Sequence, residues 1–144
     1  MPAFIPQDEN FEARVRESFA RQRLMETIGA RLLKVAAGEV EIELAFREDL
    51  TQQHGYLHAG VVTSIVDSAC GYAALSLTPA GTEVLSVEYK INLLSPAKGE
   101  RMIARGRVVR AGRNLIVCMG DVFAVNDGQE KMVSTMLATM MTIR

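Results

Sequence analysis

Apolar residues return at helical spacing between positions 9 and 28, where Phe11, Val15, Phe19, Leu24, Met25 and Ile28 stand among charges and Gly29 offers a stop. The spacing predicts one amphipathic helix. Two strands are expected around Gly38, over 31–35 and 39–46. In the second, Val40, Ile42, Leu44 and Phe46 alternate with Glu39, Glu41, Glu43 and Ala45, the signature of one buried and one wet face. Residues 47–60 are polar and contain both histidines, so they read as a loop, where function tends to concentrate. From 60 to 76 nearly every residue is small or apolar, as in a helix buried all round, and Asp67 interrupts the run. Beyond the Pro79-Ala80-Gly81 turn come four strand-like runs, over 84–94, 100–110, 115–126 and 131–143, separated by glycine-containing turns. Short turns between successive strands predict an antiparallel meander. A long sheet with one very apolar helix predicts an α+β chain whose sheet curls around that helix.

Length and composition narrow the function classes. At 144 residues the chain is one domain, with the helix of 1–28 belonging to the same unit as 29–144. Sixteen basic and seventeen acidic residues leave a formal charge of −1, so no positive field recommends nucleic acid or an anionic membrane as partner. Cys70 and Cys118 are far apart among apolar neighbours and read as reduced core residues. No basic segment leads into an apolar run near the start, and no apolar stretch is long enough to span a bilayer, so the cytoplasm is expected. Eight methionines suit an adaptable interior or a pocket for flexible apolar ligands.

The chemistry gathers around Asp67. A carboxylate within a buried helix is costly unless it is paired, protonated or facing a cavity. It either hydrogen-bonds Thr63, Ser64 or Ser68 and fixes packing, or it is used. The segment Gly55-Tyr56-Leu57-His58-Ala59-Gly60 places small residues where the helix must begin, so its first N–H groups meet the positive end of the dipole unhindered. That outlines an oxyanion site. From Ala59 to Asp67 the helix axis rises about 12 Å. One chain therefore cannot bring both to a single reacting group, and a dimer with composite sites is expected.

The run from Gln52 through His58-Ala59-Gly60 to Asp67-Ser68-Ala69 resembles the signature of hotdog-fold acyl-CoA thioesterases of the phenylacetate-pathway (PaaI-like) group, Asn-x-x-Gly-x-x-His-Gly-Gly followed by Leu-x-Asp-x-Ala. Ser86-Val87-Glu88-Tyr89-Lys90-Ile91-Asn92-Leu93-Leu94-Ser95-Pro96-Ala97 and Val108-Val109-Arg110-Ala111-Gly112-Arg113 resemble that family's central strand with its proline turn and its arginine-bearing hairpin. The likeness spans about 33–143. It implies a hotdog domain, hydrolysis of an acyl-CoA thioester, and no metal or organic cofactor. It further implies that the Ala59 N–H polarises the thioester carbonyl, that Gly55 keeps the approach open, and that Asp67 is nucleophile or general base. Gln52 stands at the family's Asn, which orients water or contacts the acyl carbonyl, with Gln53 beside it. Ala59 replaces the first glycine of the triplet, which requires a negative φ there. Beyond the dimer expected from the composite site, the resemblance implies a dimer of dimers, a homotetramer.

Other candidates follow from position. His58 matches the histidine that braces the loop, and Gly60 adjoins the substrate; His54 reads as an ordinary loop residue. The two histidines flank a glycine in a loop rather than sharing a helical face, so zinc binding is not expected. Ser86 either helps place water near Asp67 or is a plain strand serine. Lys98, Arg110 and Arg113 are candidates for coenzyme A phosphates. The N-terminal helix, with Arg14, Arg16, Arg21 and Arg23, either caps the pocket or covers the core. Two other readings compete: a non-catalytic acyl-CoA binder or sensor on the same fold, prompted by Gln52 and Ala59, and a hydratase using His58 with Asp67. The first usually carries a DNA-binding segment, for which residues 1–28 offer no helix-turn-helix.

Overall fold

A computed structural model describes residues 3–144; Met1 and Pro2 of the N-terminal segment lie outside the described residues. The N-terminal helical pattern is realised as two helices, α1 (Phe11–Arg21) and α2 (Arg23–Ile28), and not the single one expected. The break is at Gln22, which adopts an extended conformation (φ −81°, ψ 97°) while its N–H donates to the Phe19 carbonyl. No proline or glycine marks the break, so periodicity ran through it. Gly29, at φ 79°, ends α2 in the left-handed conformation that glycine enters without penalty.

Strands β1 (Arg31–Ala36) and β2 (Glu39–Ala45) form a hairpin, a single 3-10 turn covers Glu48–Leu50, and α3 runs from Ala59 to Leu75. Then come β3 (Glu83–Leu93), β4 (Arg101–Ala111), β5 (Leu115–Asn126) and β6 (Gln129–Ile143). The sheet is antiparallel with order β1-β2-β4-β5-β6-β3. This corrects the meander: β3 follows β2 in sequence by way of α3 but pairs with β6 on the far edge. Of the four later strands, only β4, β5 and β6 are made neighbours by their short turns. The 17-residue helix carries the chain across the sheet before β3 begins.

Two glycines fix how close that helix lies. Gly106 on β4 and Gly120 on β5 are opposed in register. A Cβ on Gly106 would stand 2.5 Å from the Ala69 carbonyl carbon, and one on Gly120 would stand 2.6 Å from Val66 Cγ2 and 2.7 Å from Cys70 Sγ. The helix therefore rests on bare backbone. Around this contact Ile65, Val66, Ala69, Cys70 and Ala73 pack against Val40, Ile42, Met102, Cys118 and Val122 in one continuous core. Cys70 and Cys118 are buried free thiols, as expected, and burial holds both in the protonated form, Cys118 with its pKa raised to about 12.

Helix α1 lies against the far end of α3 and is fastened by Arg14. Its guanidinium donates to the carbonyls of Leu75, Thr78 and Pro79 and to Thr78 Oγ1, and it pairs with Asp8 at 3.1 Å. A cation at a helix C-terminus satisfies orphan carbonyls and the dipole together. Strand β3 is the longer of the two edges, the other being β1, and nearly all of it is exposed on both faces, with Leu85, Val87, Tyr89 and Leu93 each about half accessible. No helix among the described residues is long and apolar enough to cross a membrane.

Candidate active site

The loop before α3 is shaped by its own hydrogen bonds. Gln52 Oε1 accepts from the N–H groups of His54 (2.6 Å) and Tyr56 (3.3 Å), while the Gln52 N–H donates to the Tyr56 carbonyl (2.8 Å) and Gly55 N–H to the Gln52 carbonyl (3.0 Å). Gly55 closes this turn at φ 84°, with open space where a Cβ would stand. Gln52, which stands at the position of the family's Asn, is thereby posed by the loop itself. Its oxygen is committed to the loop, and its nitrogen carries the remaining donors. Leu57 N–H donates to the Ala97 carbonyl and His58 N–H to the Leu50 carbonyl, which ties the loop to the turn before β4 and to the 3-10 turn.

His58 is the N-cap of α3, its Nδ1 accepting from Gly60 N–H at 2.8 Å. The ring's proton is therefore assigned to Nε2. This hydrogen bond is of the bracing kind expected of His58, and it engages the N–H of Gly60. The His58 carbonyl accepts from Val61 and Val62. Ala59 N–H is left as the one amide in this first turn without a protein acceptor among the described residues. Ala59 is absent from the positive-φ residues, so its methyl is accommodated, and no acid in the first turn competes with the dipole. With Gln52, Gln53, Tyr56, His58 and Pro96, Ala59 lines a cavity of about 460 Å³.

Asp67 lies elsewhere. It is partly exposed rather than enclosed, and it faces a second cavity, of about 330 Å³, that shares no lining residue with the first. None of Thr63, Ser64 or Ser68 holds it: the hydroxyls of Thr63 and Ser64 donate back to the carbonyls of Ala59 and Gly60, and that of Ser68 donates to Gln22 Oε1. Its partner is Ser86 on β3, whose Oγ donates to Asp67 Oδ1 at 2.7 Å. A short bond of this kind orients the carboxylate and leaves Oδ2 free to act.

The candidate phosphate ligands separate. Lys98 lies at the first cavity, its Nζ 5.9 Å from the centre of the Tyr56 ring. Arg110 is exposed at the end of β4, and Arg113 lines a third cavity with Thr78, Thr82 and Asn114, at the opposite end of the sheet from the Ala59 loop. One chain does not bring these arginines to Ala59. His54 is exposed on the loop, as expected. Ser18 and Gln22 of the N-terminal helices line the Asp67 cavity, which the periodic pattern did not disclose because it followed the apolar face alone. The arginines of α1 are not among the lining residues of that cavity.

Known proteins share this fold. The thioesterase superfamily model matches residues 54–131, which include the loop, α3 and the first strands after it. A protein of Saccharolobus solfataricus named as an esterase is 33% identical over 130 residues, 90% of this chain and 84% of that one. Human acyl-coenzyme A thioesterase 13 is 34% identical over 85 residues, 58% of this chain and 60% of its own. The solved structure of a thioesterase family protein from Silicibacter pomeroyi superposes with a TM-score of 0.91 at 48% identity, covering 92% of this chain and 98% of that one. The Escherichia coli PaaI structure shares the fold at 18% identity, with a TM-score of 0.85 and 96% of each chain covered. A sheet curled round one central helix, an unclaimed N–H at that helix's start and a match over more than half the chain place this protein in the thioesterase superfamily, as a hotdog-fold thioester hydrolase.

Proposed function

We propose that the enzyme hydrolyses acyl-CoA thioesters at composite sites, each made from Ala59 of one subunit and Asp67 of another. The observation that carries this reading is the separation of the two groups into different cavities at opposite ends of β3, an apolar-rich strand that pairs with β6 along one edge and leaves the other bare. A bare edge of that kind invites a further strand. A second copy added antiparallel along β3, centred near Glu88, sends the Glu83 end of one strand to the Leu93 end of the other. Ser86 then lies about 10 Å, at 3.3 Å per residue, from the level of the partner's Leu93, against about 23 Å within one chain. Asp67, held by Ser86, moves with it toward the Ala59 cavity across the seam. Arg110 and Arg113 travel to the same end, where with Lys98 of the other copy they suit the phosphates of coenzyme A. Pairs of such dimers complete the tetramer that the family resemblance implies.

The chemistry then balances. Asp67 removes a proton from water as the water oxygen bonds to the carbonyl carbon, or it attacks that carbon itself to form an anhydride that water afterwards opens, releasing the acid and restoring the carboxylate. The developing oxyanion takes the Ala59 N–H, a preorganised donor commonly worth about 2.7–4 kcal/mol in the transition state. The carbon–sulfur bond breaks, coenzyme A departs as thiolate, and the proton passes to it. The acyl-CoA substrate is supported by the name of the human relative.

The test follows free thiol release from a panel of acyl-CoAs with wild type, Asp67→Asn, Gly55→Val and an equimolar mixture of the two variants after subunit exchange. Each variant alone should be inactive, and the mixture should regain about a quarter of wild-type activity, because half of the pairs hold one intact site. A mixture that stays inactive although mixed pairs have formed overturns the composite site. Single-turnover hydrolysis in heavy-oxygen water tests the nucleophilic role of Asp67: label in its carboxylate requires an anhydride formed on it.

A further inference from the structure

Gly71 stands in the interior of α3, one turn beyond Asp67, at a place where neither conformation nor packing asks for glycine. Its φ is outside the positive range that Gly29, Gly38, Gly55, Gly81 and Gly128 occupy. Gly106 and Gly120 have no room for a side chain, whereas a Cβ on Gly71 would meet nothing within 4 Å. Glycine is among the poorest residues for a helix interior. What its missing side chain leaves open is the cavity it shares with Asp67.

That cavity is a compartment with a roof. Gln22, at the break between α1 and α2, accepts through Oε1 from Ser68 Oγ at 3.1 Å, and Ser18 and Tyr72 hydroxyls meet at 3.2 Å. The two ties flank Gly71 along α3 and hold the N-terminal helices above it. Val84 and Met140 supply apolar wall. The extended conformation of Gln22, which interrupts an otherwise continuous helix, gives its side chain this position.

We propose that this compartment receives the acyl group of the substrate and that Gly71 sets its width, so that the enzyme accepts acyl groups branched some distance from the carbonyl. The assignment rests on the thioesterase reading above: if Asp67 faces the reacting carbonyl, the acyl chain that extends from it along α3 reaches Gly71 after about 6 Å of axis. Branching at that depth needs the space that a methyl or larger group at position 71 removes.

The experiment compares hexanoyl-CoA with its isomer 4-methylpentanoyl-CoA on wild type, Gly71→Ala and Gly71→Val, reading kcat/KM by thiol release. In parallel, dissociation constants come from calorimetry on the Asp67→Asn background, and oligomeric state and melting temperature are recorded for each variant. The ratio of branched to straight kcat/KM should fall about 10-fold or more in the substituted enzymes, while Gly71→Ala melts a few degrees higher than wild type because a helix-breaking residue has gone. Should Gly71→Val fail to fold, Gly71→Ala carries the comparison alone. An unchanged ratio in active variants overturns the compartment and leaves the hydrolase reading intact. Variants that lose their assembly also overturn it, since the open space would then belong to a second copy. If wild type hydrolyses neither ester, the acyl-CoA reading falls by itself; the binding constants then decide, with a branched-to-straight affinity ratio that drops on substitution upholding the compartment and an unaltered ratio sinking it.

Discussion

Asp67 depends on Ser86 for its direction and on the cavity for its reach. Asp67→Asn keeps the shape and removes the carboxylate, and on the proposed function should lower kcat/KM at least about 100-fold in the thiol-release assay. Ser86→Ala leaves the carboxylate in place but unsteered. A loss of about 10- to 100-fold, expressed in kcat more than in KM, is expected from misplacement alone. At the other end of α3, His58→Ala removes the cap on Gly60 N–H. It should cost about 1 kcal/mol in denaturant unfolding and free a second amide whose direction is no longer fixed. The loop motif made Ala59 and His58 legible before any coordinates, because small residues at a helix start and a side chain that caps it act within a few positions of one another. Gln52 was legible as a candidate but not in its pose: the two amides that capture its oxygen, those of His54 and Tyr56, are offered only by the folded turn.

Among elements, α3 and β2 could be read from pattern, since a helix apolar all round has one place to go and strict alternation has one period. The far-edge pairing of β3 could not, because periodicity reports which face of a strand is buried and never which neighbour it meets. The same limit hid the roof over Asp67, where Ser18 and Gln22 are polar residues on an amphipathic helix with no local sign of a partner. The seat of α3 on Gly106 and Gly120 was also silent in the sequence, as both glycines fall inside runs that read as strand. Their requirement is severe. Gly106→Ala would place a methyl inside the backbone of Ala69, and destabilisation of at least about 3 kcal/mol, or failure to accumulate folded protein, is expected in thermal or denaturant unfolding.

At the scale of the whole molecule, charge ties the short edge hairpin to the rest of the sheet. Glu43 on β2 accepts from Arg31 on β1 and from Arg101 on β4 (2.8 Å), and its carboxyl lies below the ordinary glutamate range, chiefly through the Arg31 hydrogen bond, with burial opposing and Arg101 assisting. A carboxylate whose pKa is lowered in the folded state adds stability above the unfolded value of about 4.3, and that contribution is lost as pH falls through the lowered value. Urea midpoints for wild type should therefore drop more steeply, as pH falls below about 4.3, than those of Glu43→Gln, whose curve starts lower and is flatter. The bare edge of β3 has a further consequence. If catalysis is assembled only when two such edges meet, turnover per chain obeys mass action: it should be constant well above the dissociation constant and decline toward zero on dilution below it, recovering when the protein is concentrated again. The enzyme would then report its own abundance, silent when scarce and switched on by synthesis alone.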